Sequence, residues 1–307
     1  MLQKLHLVPE VPASTPISFD HDILINKLLQ QAPPVTSEMT FSNLLTWSGT
    51  HPLLLSRVGN TLLLWRGPAD QGLLLTPLGE TLDREGVRRA LAWAESLGGP
   101  SRFARVPEQT AAALRQAEPS LAMVADRDHA DYVYLQTDLA NLAGRKFGSK
   151  RNLIKKFSRS VAASFREIDD ELVAACLEMQ REWCEHKSCS EHPDLDAEDQ
   201  AVFRALEQWD HLPVFGGALV TDDEARRVIA FSVAEALGPD TAVIHFEKGT
   251  TMYPGVYQAI NQLLCKRLLG EFEFVNREQD LGVPGLRKAK ESYQPVRLVE
   301  KYTLEMA

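Results

Sequence analysis

Short Leu-rich runs broken by Gly, Asn and Pro occupy residues 51–78 (HPLLLSRVGN, TLLLWRG, GLLLTPLG). Such runs predict paired strands joined by tight turns. The period then changes. Val87, Ala90, Leu91, Ala94 and Leu97 recur at helical spacing, and Gly98–Gly99 supplies a stop, which predicts a helix over Leu82–Leu97. SRFARVP reads as a strand, Glu108–Gln116 as a short helix, and LAMVADRD and ADYVYLQ as two further strands. Upstream lie a short strand, a helix around Asp22–Gln30 and a loop at Pro33–Pro34. Together these describe an α+β domain over residues 1–140.

Residues 141–307 repeat the rhythm as a second domain. Within Arg145–Arg159, Leu153, Ile154 and Phe157, with Val161 beyond, fall on one arc of a helix and Arg151, Lys155, Lys156 and Arg159 on the opposite arc. ASFREI predicts a strand, and Asp170–His186 a helix with Leu172, Cys176, Met179 and Trp183 on one stripe. Another helix follows at Asp196–Trp209. VFGGALVT and RRVIAFSVAEAL form a hairpin around Asp222–Asp223, and TAVIHFEKG is a central strand. A helix over Pro254–Leu269, the strand EFEFVN, a short helix at Gly285–Ser292 and the strand VRLVEKYTLEM complete the chain. The similar rhythm of the halves points to a duplicated fold.

Composition narrows the class. A chain of 307 residues accommodates two cores, and 44% apolar with 24% charged residues is ordinary for a soluble globular protein. No run approaches the ~18 apolar residues of a membrane span, and the start MLQKLHLVPE does not read as a signal peptide. Four cysteines give no disulfide framework, so a reducing cytoplasm is the expected location. Net charge is −9, yet Arg145–Arg159 holds seven Lys or Arg and no acid. An acidic chain is not built to coat DNA, whereas one positive island suits a phosphate-rich molecule gathered at one place.

Two segments carry candidate chemistry. In TAVIHFEKGTTMYPGVYQAINQLL a strand runs through Gly249 and Pro254–Gly255 into a helix start, whose unpaired N–H groups suit a phosphate. An ordinary turn with a helix cap gives the same pattern, and neither a P-loop nor a dinucleotide fingerprint is present. Alternation sets Val243, His245 and Glu247 on one strand face. On a cleft wall, His245 and Glu247 would move a proton; a structural His–carboxylate pair is the other reading. In VNREQDLGVPGLRKAKESY, Asn276, Arg277, Glu278 and Asp280 leave a strand end, Gly282 and Gly285 bracket a turn, and Arg287, Lys288 and Lys290 begin a helix. Mixed charges at such a strand end suit a binding crevice, as they do a salt-bridged turn. Cys184, His186, Cys189 and His192 lie too close together for a usual tetrahedral zinc site, and no metal is expected.

These segments, with TFSNLLTW (40–47), DYVYLQTDLANLAGRKFGSKRNLIKKF (131–157) and EWCEHK (182–187), carry a resemblance. The chain resembles soluble relatives of the phosphatidylglycerol lysyltransferase C-terminal catalytic domain. The resemblance implies two tandem GNAT-like acyltransferase domains, each a mixed, mostly antiparallel sheet flanked by helices, with the active site in the second. It implies acyl or aminoacyl transfer to an amine or hydroxyl without a covalent enzyme intermediate or a permanently bound cofactor. The donor would be aminoacyl-tRNA or acyl-CoA, and the acceptor a small molecule or lipid headgroup. Lys150, Arg151, Asn152 and Lys155 would meet the polyanionic donor, with Tyr253, Gly255, Tyr257 and Gln258 at the pyrophosphate position. Glu247 or Asp280 would act as base and Arg277 would stabilise the oxyanion. Asn276, Glu278, Arg287 and Lys288 would border the acceptor cleft. The membrane-spanning half of the lipid-modifying enzymes has no counterpart here, so no stable membrane insertion is expected. A non-catalytic binding or regulatory module on the same fold is the alternative.

Overall fold

The computed structural model describes residues 5–68 and 70–306. The chain divides into two compact units: Met1–Asp131 with Gln279–Val283 and Leu298–Ala307, and Tyr132–Glu278 with Pro284–Arg297. The division is less simple than a cut at residue 140. The strand Asp131–Leu135 already belongs to the second sheet, and the C-terminal strand returns to the first unit.

The first unit holds an eight-stranded sheet in the order Thr15–Pro16, Leu53–Val58, Thr61–Arg66, Leu73–Leu74, Arg102–Pro107, Lys301–Met306 and Leu121–Ala125, with Leu78–Gly79 paired to Thr61–Arg66. Lys301–Met306 lies antiparallel between its two neighbours, with Tyr302 opposite Val106 and Ala125. The sheet buries Leu63, Trp65, Phe103 and Leu304 against Val87, Leu91 and Trp93 of the helix Arg84–Ser96. That helix begins where the Asp83 carboxylate accepts from Gly86 N–H at 2.7 Å, an acidic N-cap.

The second unit is built on a seven-stranded sheet ordered Arg297–Val299, Asp131–Leu135, Phe274–Asn276, Thr241–Gly249, Val228–Ala236, Val214–Thr221 and Ala163–Glu167. Thr241–Gly249 and Phe274–Asn276 are parallel, while Thr241–Gly249, Val228–Ala236, Val214–Thr221 and Ala163–Glu167 pair antiparallel. Val228–Ala236 is buried at every position except Ala236. A strand covered on both faces selects a nearly continuous apolar run rather than alternation. Helices Gly148–Ser160 and Val256–Arg267 pack Phe157, Val256, Ala259 and Ile260 against Leu219, Ile229 and Ala230. Pro193 opens the helix Pro193–Glu207, three residues upstream of the sequence expectation, since proline at the first helical turn forfeits no internal hydrogen bond.

One expectation is overturned. Cys184 and Cys189 form a disulfide, with Cα atoms 5.1 Å apart, where the cysteine count predicted no disulfide framework and a reducing location. Counting cysteines overlooks that the chain turns back at the end of helix Asp170–Lys187, where Ser188 is left-handed (φ 50°) and brings the two sulfurs together. Among the described residues no helix is long and apolar enough to cross a membrane.

Candidate active site

The central strand Thr241–Gly249 of the second unit is buried at every position but Glu247. A register shift against Val228–Ala236 interrupts the alternation read from the sequence at His245, and the polar side chains engage two separate sets of partners. His245 lies between two carboxylates: Nε2 is 3.0 Å from Glu235 Oε2, and Nδ1 is 3.0 Å from Glu278 Oε1. Burial pulls the imidazole pKa down, but the hydrogen bonds and charges of Glu235 and Glu278 outweigh it and raise the pKa to about 9. At neutral pH the ring is a cation with both N–H groups engaged. The structure therefore gives His245 the part of a structural His–carboxylate pair and leaves it no free nitrogen with which to take a proton.

Glu247, two residues on, is held differently. Its Oε1 accepts from Arg277 Nη2 at 3.0 Å and its Oε2 from Asn261 Nδ2 at 2.8 Å. Arg277 leaves the strand Phe274–Asn276, and its guanidinium carbon lies 4.7 Å from the Tyr293 ring centre. Burial opposes its charge, yet the Glu247 carboxylate holds the guanidinium more firmly protonated than usual. Lys150 reaches the same ring, with Nζ 4.2 Å from its centre and 2.5 Å from Ser292 Oγ. Burial, and then the Arg277 charge, pull the Lys150 pKa below its usual range. Tyr293 is pushed up to about 12, chiefly by burial. Tyr134 donates to the Lys290 carbonyl at 2.8 Å, and Lys290 Nζ donates to the Arg277 carbonyl.

Two atoms of this cluster are buried and have no hydrogen-bond partner: Arg277 Nη1, a donor, and Asn261 Oδ1, an acceptor. Buried polar atoms are rarely left unpaired, because each forfeits its hydration. Both atoms lie beside a carboxylate with lone pairs to spare.

The remaining residues singled out by sequence separate. Arg151 donates to the carbonyls of Leu142 and Gly144 and clamps the start of its helix. Asn152 and Lys155 lie toward solvent on that helix, with Lys156 and Arg159, while Lys150 turns inward. Gly255 caps helix Val256–Arg267 at φ 99°, and a Cβ there would stand 2.2 Å from the Leu153 carbonyl oxygen. Only glycine allows the basic helix and this turn to approach so closely. Tyr253 packs beside Phe157 and Val256, and Tyr257 Oη accepts from Trp183 Nε1 at 3.1 Å. Gln258 is half-buried in the same first turn. Asn276 Oδ1 accepts from Glu278 N–H at 2.8 Å and shapes the turn after its strand. Arg287 and Lys288 both lie on helix Pro284–Glu291. Asp280 lies in the first unit, fully buried, accepting from Arg127 at 3.1 Å and from Gly282 N–H at 2.9 Å.

The structure thus brings Lys150, Glu247 and Arg277 together with four residues that the sequence pattern did not single out: Asn261, Ser292, Tyr293 and Tyr134. One signal for them exists. Asn261 interrupts the apolar stripe Val256, Ile260, Leu264 of its helix, and a polar residue at a core position usually answers a buried partner.

The family model described as "Phosphatidylglycerol lysyltransferase, C-terminal" matches residues 29–305. The chain belongs to this family. No curated protein sequence matches it significantly. Among solved structures, a conserved protein of unknown function from Bacteroides thetaiotaomicron is 28% identical, with a TM-score of 0.86, and the match covers 96% of this chain and 99% of that one. The C-terminal domain of a putative lysylphosphatidylglycerol synthetase from Agrobacterium fabrum superposes with a TM-score of 0.65 at 13% identity, over 94% and 93% of the two chains. L-PGS from Bacillus licheniformis does so with a TM-score of 0.63 at 15% identity, over 97% and 93%. The fold is the mixed α+β arrangement of two sheets flanked by helices that these structures share, and the family's description points to acyl transfer.

Proposed function

We propose that this chain is an acyl or aminoacyl transferase whose reaction centre is the Glu247–Arg277 pair of the second unit, with Lys150 and Tyr293 beside it. The observation that carries the reading is the Glu247 carboxylate, oriented by Arg277 and Asn261 next to an unfilled N–H of the same arginine. The acceptor's amine or hydroxyl attacks the donor's ester or thioester carbonyl, both reactants being held by binding. A free lone pair of Glu247 takes the proton from the attacking group. Arg277 Nη1 donates to the oxyanion that develops on the carbonyl oxygen. As that oxyanion collapses, the donor's ester or thioester bond breaks and the leaving hydroxyl or thiol takes the proton from Glu247. The Lys150 ammonium adds positive potential in the same buried surroundings. Asp280 and His245 have no step here, since the one is committed to Arg127 and the other to its two carboxylates.

The donor is phosphate-bearing, aminoacyl-tRNA or acyl-CoA, and approaches along the outer face of helix Gly148–Ser160, where Asn152, Lys155, Lys156 and Arg159 lie toward solvent. The acceptor is a small molecule or a lipid headgroup bearing the amine or hydroxyl. Calorimetric titration of the purified chain with each donor tests this reading. Binding of one donor supports it. Binding of neither, at low salt and at protein concentrations that detect micromolar affinity, removes it.

A further inference from the structure

The cluster Cys184, His186, Cys189 and His192 finds no use in the transfer reaction, yet two of its members are covalently joined. The disulfide closes a short loop across the C-terminus of helix Asp170–Lys187, linking its last turn to the turn Cys189–Glu191. Ser188, between them, is held left-handed at φ 50°, a conformation that L-residues other than glycine adopt at a cost. Residues 185–188 on the intervening loop are all exposed.

The stapled turn carries Trp183 next to Cys184. Trp183 Nε1 donates to Tyr257 Oη at 3.1 Å, and Lys248 Nζ lies 4.0 Å from the centre of a Trp183 ring. Lys248 is in turn paired at 2.7 Å with Glu198 of the next helix. Tyr257 belongs to the first turn after Gly255, and Lys248 neighbours Glu247 in sequence. All four cysteines are buried, Cys184 to 9% and Cys189 to 5% exposure, but the pair borders the exposed residues 185–188. Cys176 and Cys265 are buried, and burial pushes both thiols up to about 12, so they supply no thiolate at neutral pH.

We propose that Cys184–Cys189 is a reversible thiol–disulfide exchange site whose oxidised state holds the helix end bearing Trp183 against Tyr257 and Lys248. The reductant is a dithiol. One of its thiolates attacks a sulfur of the pair, giving a mixed disulfide, and its second thiol displaces the protein sulfur. The Cys184–Cys189 bond breaks, the dithiol closes its own S–S bond, and the two protons it gives up end on Cys184 and Cys189. Released from the loop, Ser188 relaxes, the last turn of the helix frays, and the Trp183 contacts loosen. The exchange stands apart from the transfer reaction, because its readout is chemical labelling and hydrogen exchange, not turnover.

The test uses the full chain, oxidised with glutathione disulfide and then treated with dithiothreitol. Native reduced protein is expected to take up two maleimide labels, at Cys184 and Cys189, while Cys176 and Cys265 react only after denaturation. Amide exchange over residues 183–192 rises roughly tenfold or more on reduction, rises less at residues 253–258, and returns on reoxidation. The double variant Cys184→Ser/Cys189→Ser shows the exchange of the reduced form and ignores dithiothreitol. Exchange that does not change on reduction overturns the proposal. So does a pair that stays reduced in glutathione disulfide, or a chain that loses all its far-UV circular dichroism when the bond is cut.

Discussion

Arg277 Nη2 donates to Glu247 Oε1 at 3.0 Å, joining the end of one strand to the middle of its parallel neighbour. The same guanidinium lies 4.7 Å from the centre of the Tyr293 ring. The pair therefore fixes the register of two strands and the direction of one carboxylate. Removing either partner leaves a charge buried without its counterion. Arg277→Ala should cost about 3–5 kcal/mol of stability in chemical denaturation. Glu247→Gln keeps the shape of the site but leaves the Arg277 guanidinium without its counterion, so it should cost a comparable amount, while lowering transfer by ~10²-fold or more through loss of the base.

His245 sets a pH dependence of opposite sign to that of most carboxylates. Its pKa stands at about 9 in the folded chain against 6.5 for a free histidine side chain. The stabilisation from Glu235 and Glu278 is fully present below about pH 6.5 and fades as pH rises through about 9, amounting to about 3 kcal/mol. Urea denaturation at pH 6.5, 8 and 9.5 (roughly bracketing the shift) should show this decline, and His245→Gln should flatten it.

Much of this was legible in the chain, and the failures have identifiable causes. Strands and helices followed hydrophobic period, but alternation on Thr241–Gly249 did not foresee the register shift between Ile244 and Phe246, and His245 and Glu247 meet separate partners. Periodicity says nothing of which partner a side chain meets across the sheet. Asp280 stands four residues after Asn276 in sequence but in the other unit, because the chain crosses between units after Glu278. Arg151 looked like its basic neighbours, yet its fork reaches two carbonyls just before its own helix. Tyr293 was invisible because its importance comes from Lys150 and Arg277, respectively 143 and 16 residues away in the chain, converging on one ring.

Gly255→Ala tests whether close approach explains the glycine. The new methyl would meet the Leu153 carbonyl at 2.2 Å, at a backbone φ of 99° that L-residues rarely adopt. A loss of about 2 kcal/mol or more is expected from strain and displacement together. Gly270→Ala, where a Cβ would meet nothing within 4 Å, should be close to neutral and serves as the comparison.

The basic outer face of helix Gly148–Ser160 sets an expectation for salt. Lys155→Gln with Arg159→Gln should leave denaturation midpoints within about 0.5 kcal/mol of the parent. Donor affinity should weaken, and the slope of log K against log salt should become shallower by roughly one for each phosphate that the variant no longer engages. An aminoacyl-tRNA donor should show the steeper parent slope and acyl-CoA the shallower one.

The most direct measurement follows breakdown of the donor's acyl bond when the purified chain meets aminoacyl-tRNA or acyl-CoA together with a panel of amines and hydroxyl compounds. The account predicts acceptor-dependent breakdown of one donor by the parent chain, falling by ~10²-fold or more in Glu247→Gln while donor affinity is unchanged. Turnover by Glu247→Gln equal to that of the parent would contradict it.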